Sequence, residues 1–204
     1  MTGLLEHVFS VDEWDEMGRV GVFDEDSRVE LIDGKVVDMN PVGDRHASCV
    51  KRLADILFTA VHGIAIVSVQ DPIRLSDYSE PQPDLALLRY RDDFYRSGKP
   101  VPSDILLVIE VSDTSLERDQ AKGLYYARAG ISQYWIVDLA GERVIEFADP
   151  SEEGYRSERA VTGGGLASGT DEATGGGTQP VTGEDLLTVD ALPQVRLTAS
   201  QILA

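Results

Sequence analysis

Ile105-Leu106-Leu107-Val108-Ile109-Glu110-Val111 is an unbroken apolar run except for one acid. Such a run predicts a central strand buried on both faces. The rest of the chain must then supply layers to cover it, which commits the fold to helices packed on a sheet.

Those layers are visible on either side. Upstream, Ser10 and Glu13 form a capping box for a first helix, with Phe9 and Trp14 placed as a hydrophobic staple. Residues 28–33 and 36–39, linked by Gly34-Lys35, read as a hairpin turning at Asp33-Gly34. His46, Val50, Leu53, Leu57 and Val61 recur at helical spacing between Asp44 and Val61, and Gly63 stops that helix. Further strands are expected at 64–69, 73–75 and 84–88. Downstream, Thr114 to Glu117 reads as a second capping box opening a helix that runs to about Arg128. Strands at 133–138 and 143–147 follow, joined at Ala140-Gly141. The expected fold class is α/β (α+β), a mixed central sheet flanked by helices, with an N-terminal helix and hairpin.

At 204 residues the chain suits one domain, 1–204. Residues 163–183 hold eight of its 19 glycines and are expected to be a flexible insert. No Lys-Ser or Lys-Thr follows those glycines, which argues against a phosphate-cradling loop.

Lys and Arg number 18 against 36 Asp and Glu, a formal net charge of −18. That balance opposes non-specific binding to polyanions, because phosphate contacts need local cations. The first 40 residues alone carry −8. Arg45, Lys51, Arg52, Arg89, Arg91, Arg96 and Lys99 lie in the less acidic middle and are candidates for a positive face, or simply for a solvated surface. The single cysteine, Cys49, excludes an intramolecular disulfide and reads as a small core residue. Acids crowd the N-terminus and no run approaches the roughly 18 apolar residues of a membrane span, so a cytoplasmic protein is expected.

Two acids stand where folding alone would not choose them. Asp84 follows Pro81-Gln82-Pro83 and opens an apolar strand, while Glu110 lies inside another. A lone buried carboxylate costs several kcal/mol unless it is paired, neutralised or ligated. On neighbouring strands the two would converge as oxygen ligands for a hard divalent cation. On the following helix, Asp119, Lys122 and Tyr126 share one face, with Leu116, Ala121, Leu124 and Tyr125 available to cover the core. A lysine beside two carboxylates would neutralise a phosphate; the bland alternative is an Asp119–Lys122 surface pair.

The ordered set Glu30-Leu31-Ile32-Asp33-Gly34-Lys35, His46, Pro83-Asp84, Val108-Ile109-Glu110-Val111-Ser112, Asp119, Lys122 and Tyr134-Trp135-Ile136-Val137-Asp138 closely resembles the Uma-two family of restriction endonucleases, within the PD-(D/E)XK nuclease fold. The resemblance runs from about Val8 to Phe147 and resumes at Leu192. It implies a restriction-endonuclease-like core that hydrolyses DNA phosphodiesters with Mg²⁺ or Mn²⁺. Asp84, Glu110 and Val111 would hold the metal, and Asp84, Glu110, Lys122 and Glu30 would form the catalytic set. In the general pattern a lysine stands two residues after the second acid, where this chain has Ser112; Lys122 is the matching residue on the next helix. His46, Asp119 and Tyr126 are candidate substrate-binding residues. Glu30 also reads as a hairpin acid pairing with Lys35, and His46 as a helix-flanking residue. DNA is the expected partner, and a homodimer would address both strands. The rival reading is a binding or interaction protein that keeps the nuclease scaffold without turnover.

Overall fold

A computed structural model describes residues 6–23, 27–163 and 186–204. The glycine-rich segment expected to be flexible lies, apart from Gly163, outside the described residues.

The first helix, α1 (Val11–Arg19), starts on the expected capping box: Ser10 Oγ accepts from the Glu13 amide at 3.2 Å, and the Ser10 amide donates to Glu13 Oε2 at 2.9 Å. The staple differs from expectation. Trp14 meets the Phe23 ring at 5.0 Å, and Phe9 meets His7 at 4.7 Å. Strands β1 (Val29–Ile32) and β2 (Lys35–Asp38) pair as the predicted hairpin. Asp33 and Gly34 both take left-handed backbone angles, φ 51° and 70°, as a two-residue turn of this hand requires.

Helix α2 (Asp44–Val61) buries Cys49, Val50, Leu53, Leu57 and Val61, the apolar stripe read from the sequence. It leads into the main sheet. Strands β3 (Ala65–Val69), β4 (Leu85–Arg89), β5 (Ile105–Ser112), β6 (Gln133–Asp138), β7 (Arg143–Ser151) and β8 (Gly154–Thr162) lie in that spatial order. All eight residues of β5 are buried, as its apolar run demands. Its pairing with β6 is parallel and the other pairings are antiparallel, because helix α3 (Leu116–Arg128) carries the chain back over the sheet between β5 and β6.

The sheet is covered on both faces. One face packs on α2, the small pair β9 (Leu186–Val189) and β10 (Leu192–Thr198), and helix α4 (Ala199–Leu203). The other packs on α3 and on Ile73 and Leu75. Those last two residues were expected in a strand. Instead they bury their side chains from an irregular segment, where the Ile73 amide donates to the Pro81 carbonyl at 3.0 Å and the Leu75 amide to the Ser79 carbonyl at 2.9 Å. Strand β8 escaped the sequence reading because Arg156 to Arg159 is polar, as suits the outer strand of a sheet. Among the described residues no helix is long and apolar enough to cross a membrane.

Candidate active site

Glu110 and Asp84 are brought together by strand register. Leu85, the first residue of β4, pairs with Ile109 of β5, so Asp84 stands beside Glu110 where the β4 ladder ends. With no further strand residue to bond, the backbone amides there bind the acids instead. The Asp84 amide donates to Glu110 Oε2 at 3.1 Å, and the Val111 amide donates to Asp84 Oδ2 at 2.9 Å. Each acid is therefore held by the backbone of the other's strand.

Further groups fix the pair. His46 Nε2 lies 2.9 Å from Asp84 Oδ2, and Gln70 Nε2 donates to Asp84 Oδ1 at 3.2 Å. Tyr126 donates its hydroxyl to Glu110 Oε1 at 2.9 Å. Lys122 Nζ reaches the same Glu110 oxygen at 2.6 Å and Glu30 Oε2 at 3.0 Å. Its side chain is only 9% exposed, and Glu30 and Glu110 are 2% and 6% exposed. A buried ammonium between two buried carboxylates satisfies the rule that buried charges are paired.

The electrostatics follow from this packing. Burial pushes the Glu110 carboxyl up to about 7, with the Lys122 ammonium opposing the rise and Asp84 and Asp119 adding to it. Burial also works against the Lys122 charge, but Glu110 and Glu30 outweigh it and hold its pKa above that of a free lysine. The hydrogen bond to Asp84 raises the His46 pKa against the effect of burial. Burial raises Asp119, whose Oδ2 accepts from Ser115 Oγ at 2.6 Å.

Glu30, His46, Asp84, Glu110, Val111, Asp119 and Lys122 all line one cleft of about 220 Å³. Seven of the eight residues singled out from the sequence thus meet at one place. Tyr126 is the exception: it is fully buried, and its hydroxyl is spent on Glu110, so it supports an acid and does not reach the cleft. The inward face of α3 is mixed: it buries Asp119 and Lys122 together with Gly123, Tyr126 and Ala127, while Glu117, Gln120, Ala121 and Arg128 are exposed and Leu124 is half-buried. Helix α3 also starts differently from expectation. Its N-cap is Ser115, which makes no side-chain cap and instead donates to Asp119. Lys122 joins Glu110 and Glu30 and not a surface Asp119; Lys35 lies 3.9 Å from Glu6 and leaves Glu30 to the cleft. Ser112 is buried, and Lys122 delivers an ammonium to Glu110 from α3.

The candidate positive face is not part of this cleft. Arg45 is paired with Asp113, Arg91 with Asp93, and Lys99 with Asp15 and Glu80. Arg89 ends β4 and Arg91 follows it, at the end away from Asp84. The cations lining the cleft besides Lys122 are Arg28 and Arg118, which sequence reading did not single out. Arg118 stands next to Asp119 on α3, and that adjacency was its only signal.

Asp84 and Glu110 offer hard oxygen donors, the type that holds Mg²⁺ or Mn²⁺. Among the described residues no group of three or more His, Cys, Asp or Glu stands ready to hold a metal ion. Two carboxylates are too few for an all-protein cage, so a cation held there would draw the rest of its shell from other oxygens.

The fold is thus a mixed sheet with a paired acid site at the ends of adjacent strands and a helix returning across it. The chain belongs to the Uma2 family, described as "Putative restriction endonuclease", whose pattern matches residues 12–198. Among solved structures, the chain is similar to one titled a "putative nuclease belonging to DUF820" from Anabaena variabilis ATCC 29413. The TM-score is 0.68 at 14% identity, over 96% of this chain and 97% of that one, which is likeness of fold. No curated protein matches the chain.

Proposed function

We propose that this protein is a metal-dependent endonuclease that hydrolyses DNA phosphodiester bonds. The observation that carries the reading is the reciprocal clamp of Asp84 and Glu110, two acids fixed at one cleft with the buried Lys122 against Glu110. A folding role alone gives no reason to gather Glu30, Asp84, Glu110 and Asp119 around one opening, because each acid adds a burial cost.

Asp84, Glu110 and the Val111 carbonyl would hold the cation. Mg²⁺ or Mn²⁺, when bound, supplies positive charge at the phosphoryl oxygens and acidifies water. The chain's own groups do the positioning. Val111, Gln70 and His46 fix the Asp84 carboxylate, and Tyr126 and Lys122 fix Glu110. Lys122 offsets the charge of the two acids flanking it, so that an anionic phosphate can approach them. Glu30 holds Lys122 from the far side. His46 and Asp119, both on the cleft wall, would meet the substrate or its attacking water. A homodimer would present two such clefts, one to each strand.

The test is incubation of purified protein with single-stranded, linear duplex and supercoiled DNA in Mg²⁺ or Mn²⁺. Cleavage that EDTA abolishes, and that Asp84→Ala and Glu110→Ala each eliminate, is the expected result. Cleavage that persists unchanged in both variants would refute the assignment, and a folded wild type that binds DNA without cutting it would favour the binding-module reading.

A further inference from the structure

Lys122 is fully engaged by acids, so it is a poor candidate for the cation that first meets a substrate phosphate. Its ammonium lies 2.6 Å from Glu110 and 3.0 Å from Glu30. Moving toward a phosphate would strip a buried carboxylate of its partner, a change that costs several kcal/mol.

Arg118 is in the opposite condition. It stands on the first turn of α3, lines the same cleft, and keeps 29% of its side chain exposed. One guanidinium nitrogen donates to Asn40 Oδ1 on the facing wall at a long 3.2 Å. The other terminal nitrogen is buried without any hydrogen bond, its nearest acid being Glu30 Oε1 at 3.8 Å. Glu30 is already served by Lys122 and by the Gln82 amide. A guanidinium offers five donors in a fixed fork suited to phosphate, and leaving donors unused in a partly buried position is unfavourable.

Resting on the nuclease reading above, we propose that Arg118 is a substrate-binding residue, which exchanges its weak Asn40 contact for the non-bridging oxygens of a phosphodiester in the bound strand. Asn40 holds the fork at the cleft before substrate arrives, and the phosphate supplies the charge-assisted partners that the fork lacks. Lys122 keeps the acids neutralised, and Arg118 receives the polyanion.

Fluorescence anisotropy with a short single-stranded oligonucleotide, in Ca²⁺ to allow binding without turnover, tests this across about 50 to about 200 mM salt. Arg118→Gln is expected to bind about ten-fold more weakly and to lower the slope of log affinity on log salt by about 0.7, the share of one phosphate contact on a single strand. Arg118→Lys should restore the slope while recovering only part of the affinity, because it keeps the charge and loses the fork. Arg156→Gln on β8, which breaks an exposed pair with Asp149 of β7, should match wild type throughout. Affinity and slope unchanged in Arg118→Gln, or affinity lost with the slope intact, would overturn the proposal and leave the nuclease reading standing. The expected binding pattern in a protein that never cuts in Mg²⁺ would support Arg118 and refute catalysis. A wild type that binds no oligonucleotide would overturn both.

Discussion

At the scale of single residues, the site is an arrangement of charges that are stable only together. Lys122 sits between Glu110 and Glu30, and removing it leaves Glu110 without a cation and Glu30 with only the Arg118 guanidinium at 3.8 Å. Lys122→Met should therefore lower stability by about 3–5 kcal/mol as well as activity, measured by urea denaturation. Tyr126→Phe separates support from chemistry. It removes one hydrogen bond from Glu110 Oε1 without changing the packed ring, and should lower stability by about 1–2 kcal/mol in the same assay. Asp84 and Glu110 were legible in the sequence because an acid beside or within an apolar strand stands out against its neighbours. Arg118 was not, since nothing in a helical Glu-Arg-Asp string tells which of its charges turns inward. The inward turn of Lys122 was equally hidden, because α3 buries Asp119 and Lys122 beside Gly123, Tyr126 and Ala127 and so mixes charges into its inward face.

At the scale of elements, the cleft depends on parts that meet only through the hairpin and α3. The β1–β2 hairpin carries Glu30 and is held by a bridge between Leu31 and Glu80. Its turn needs Gly34, whose φ is 70° and where a Cβ would overlap the Val8 side chain. Gly34→Ala should destabilise the protein by more than the ~1 kcal/mol that a strain-free exchange involves, with a matching loss of activity as Glu30 shifts; thermal denaturation beside the cleavage assay checks this. The α2–α4 contact gives a pH test. Burial pushes the Cys49 thiol up to about 11, above its ordinary value. The folded state thus retains a proton that the unfolded chain gives up, so the Cys49 contribution is full below the ordinary thiol range and is lost as pH rises through about 9 to 11. The stability gap between wild type and Cys49→Ala should narrow between those limits, read from denaturation midpoints. Helix α2 and strands β5 and β6 were readable from periodicity and apolar runs. Strand β8 and the segment around Ile73 were not, because the first is a polar outer strand and the second buries apolar side chains without a ladder.

For the whole molecule, the charge of −18 and the acid-lined cleft set the terms on which a polyanion can approach. Of the basic residues in the middle of the chain, Arg91 and Lys99 are tied to acids outside the cleft, and Arg45 is paired with Asp113 on the cleft wall. DNA affinity in EDTA should therefore be weak and sensitive to salt, and should strengthen when Ca²⁺ offsets the acids, as anisotropy would show. The fold and the meeting of the acids at one cleft follow from sequence pattern and strand register together. What those acids do is settled by chemistry, and one measurement reaches it most directly: the single-turnover rate of phosphodiester cleavage in Mn²⁺ for wild type and Glu110→Gln at equal folded concentration. Cleavage by wild type, slowed about a hundred-fold or more in the variant, is the predicted result. Equal rates in the two proteins would contradict the account.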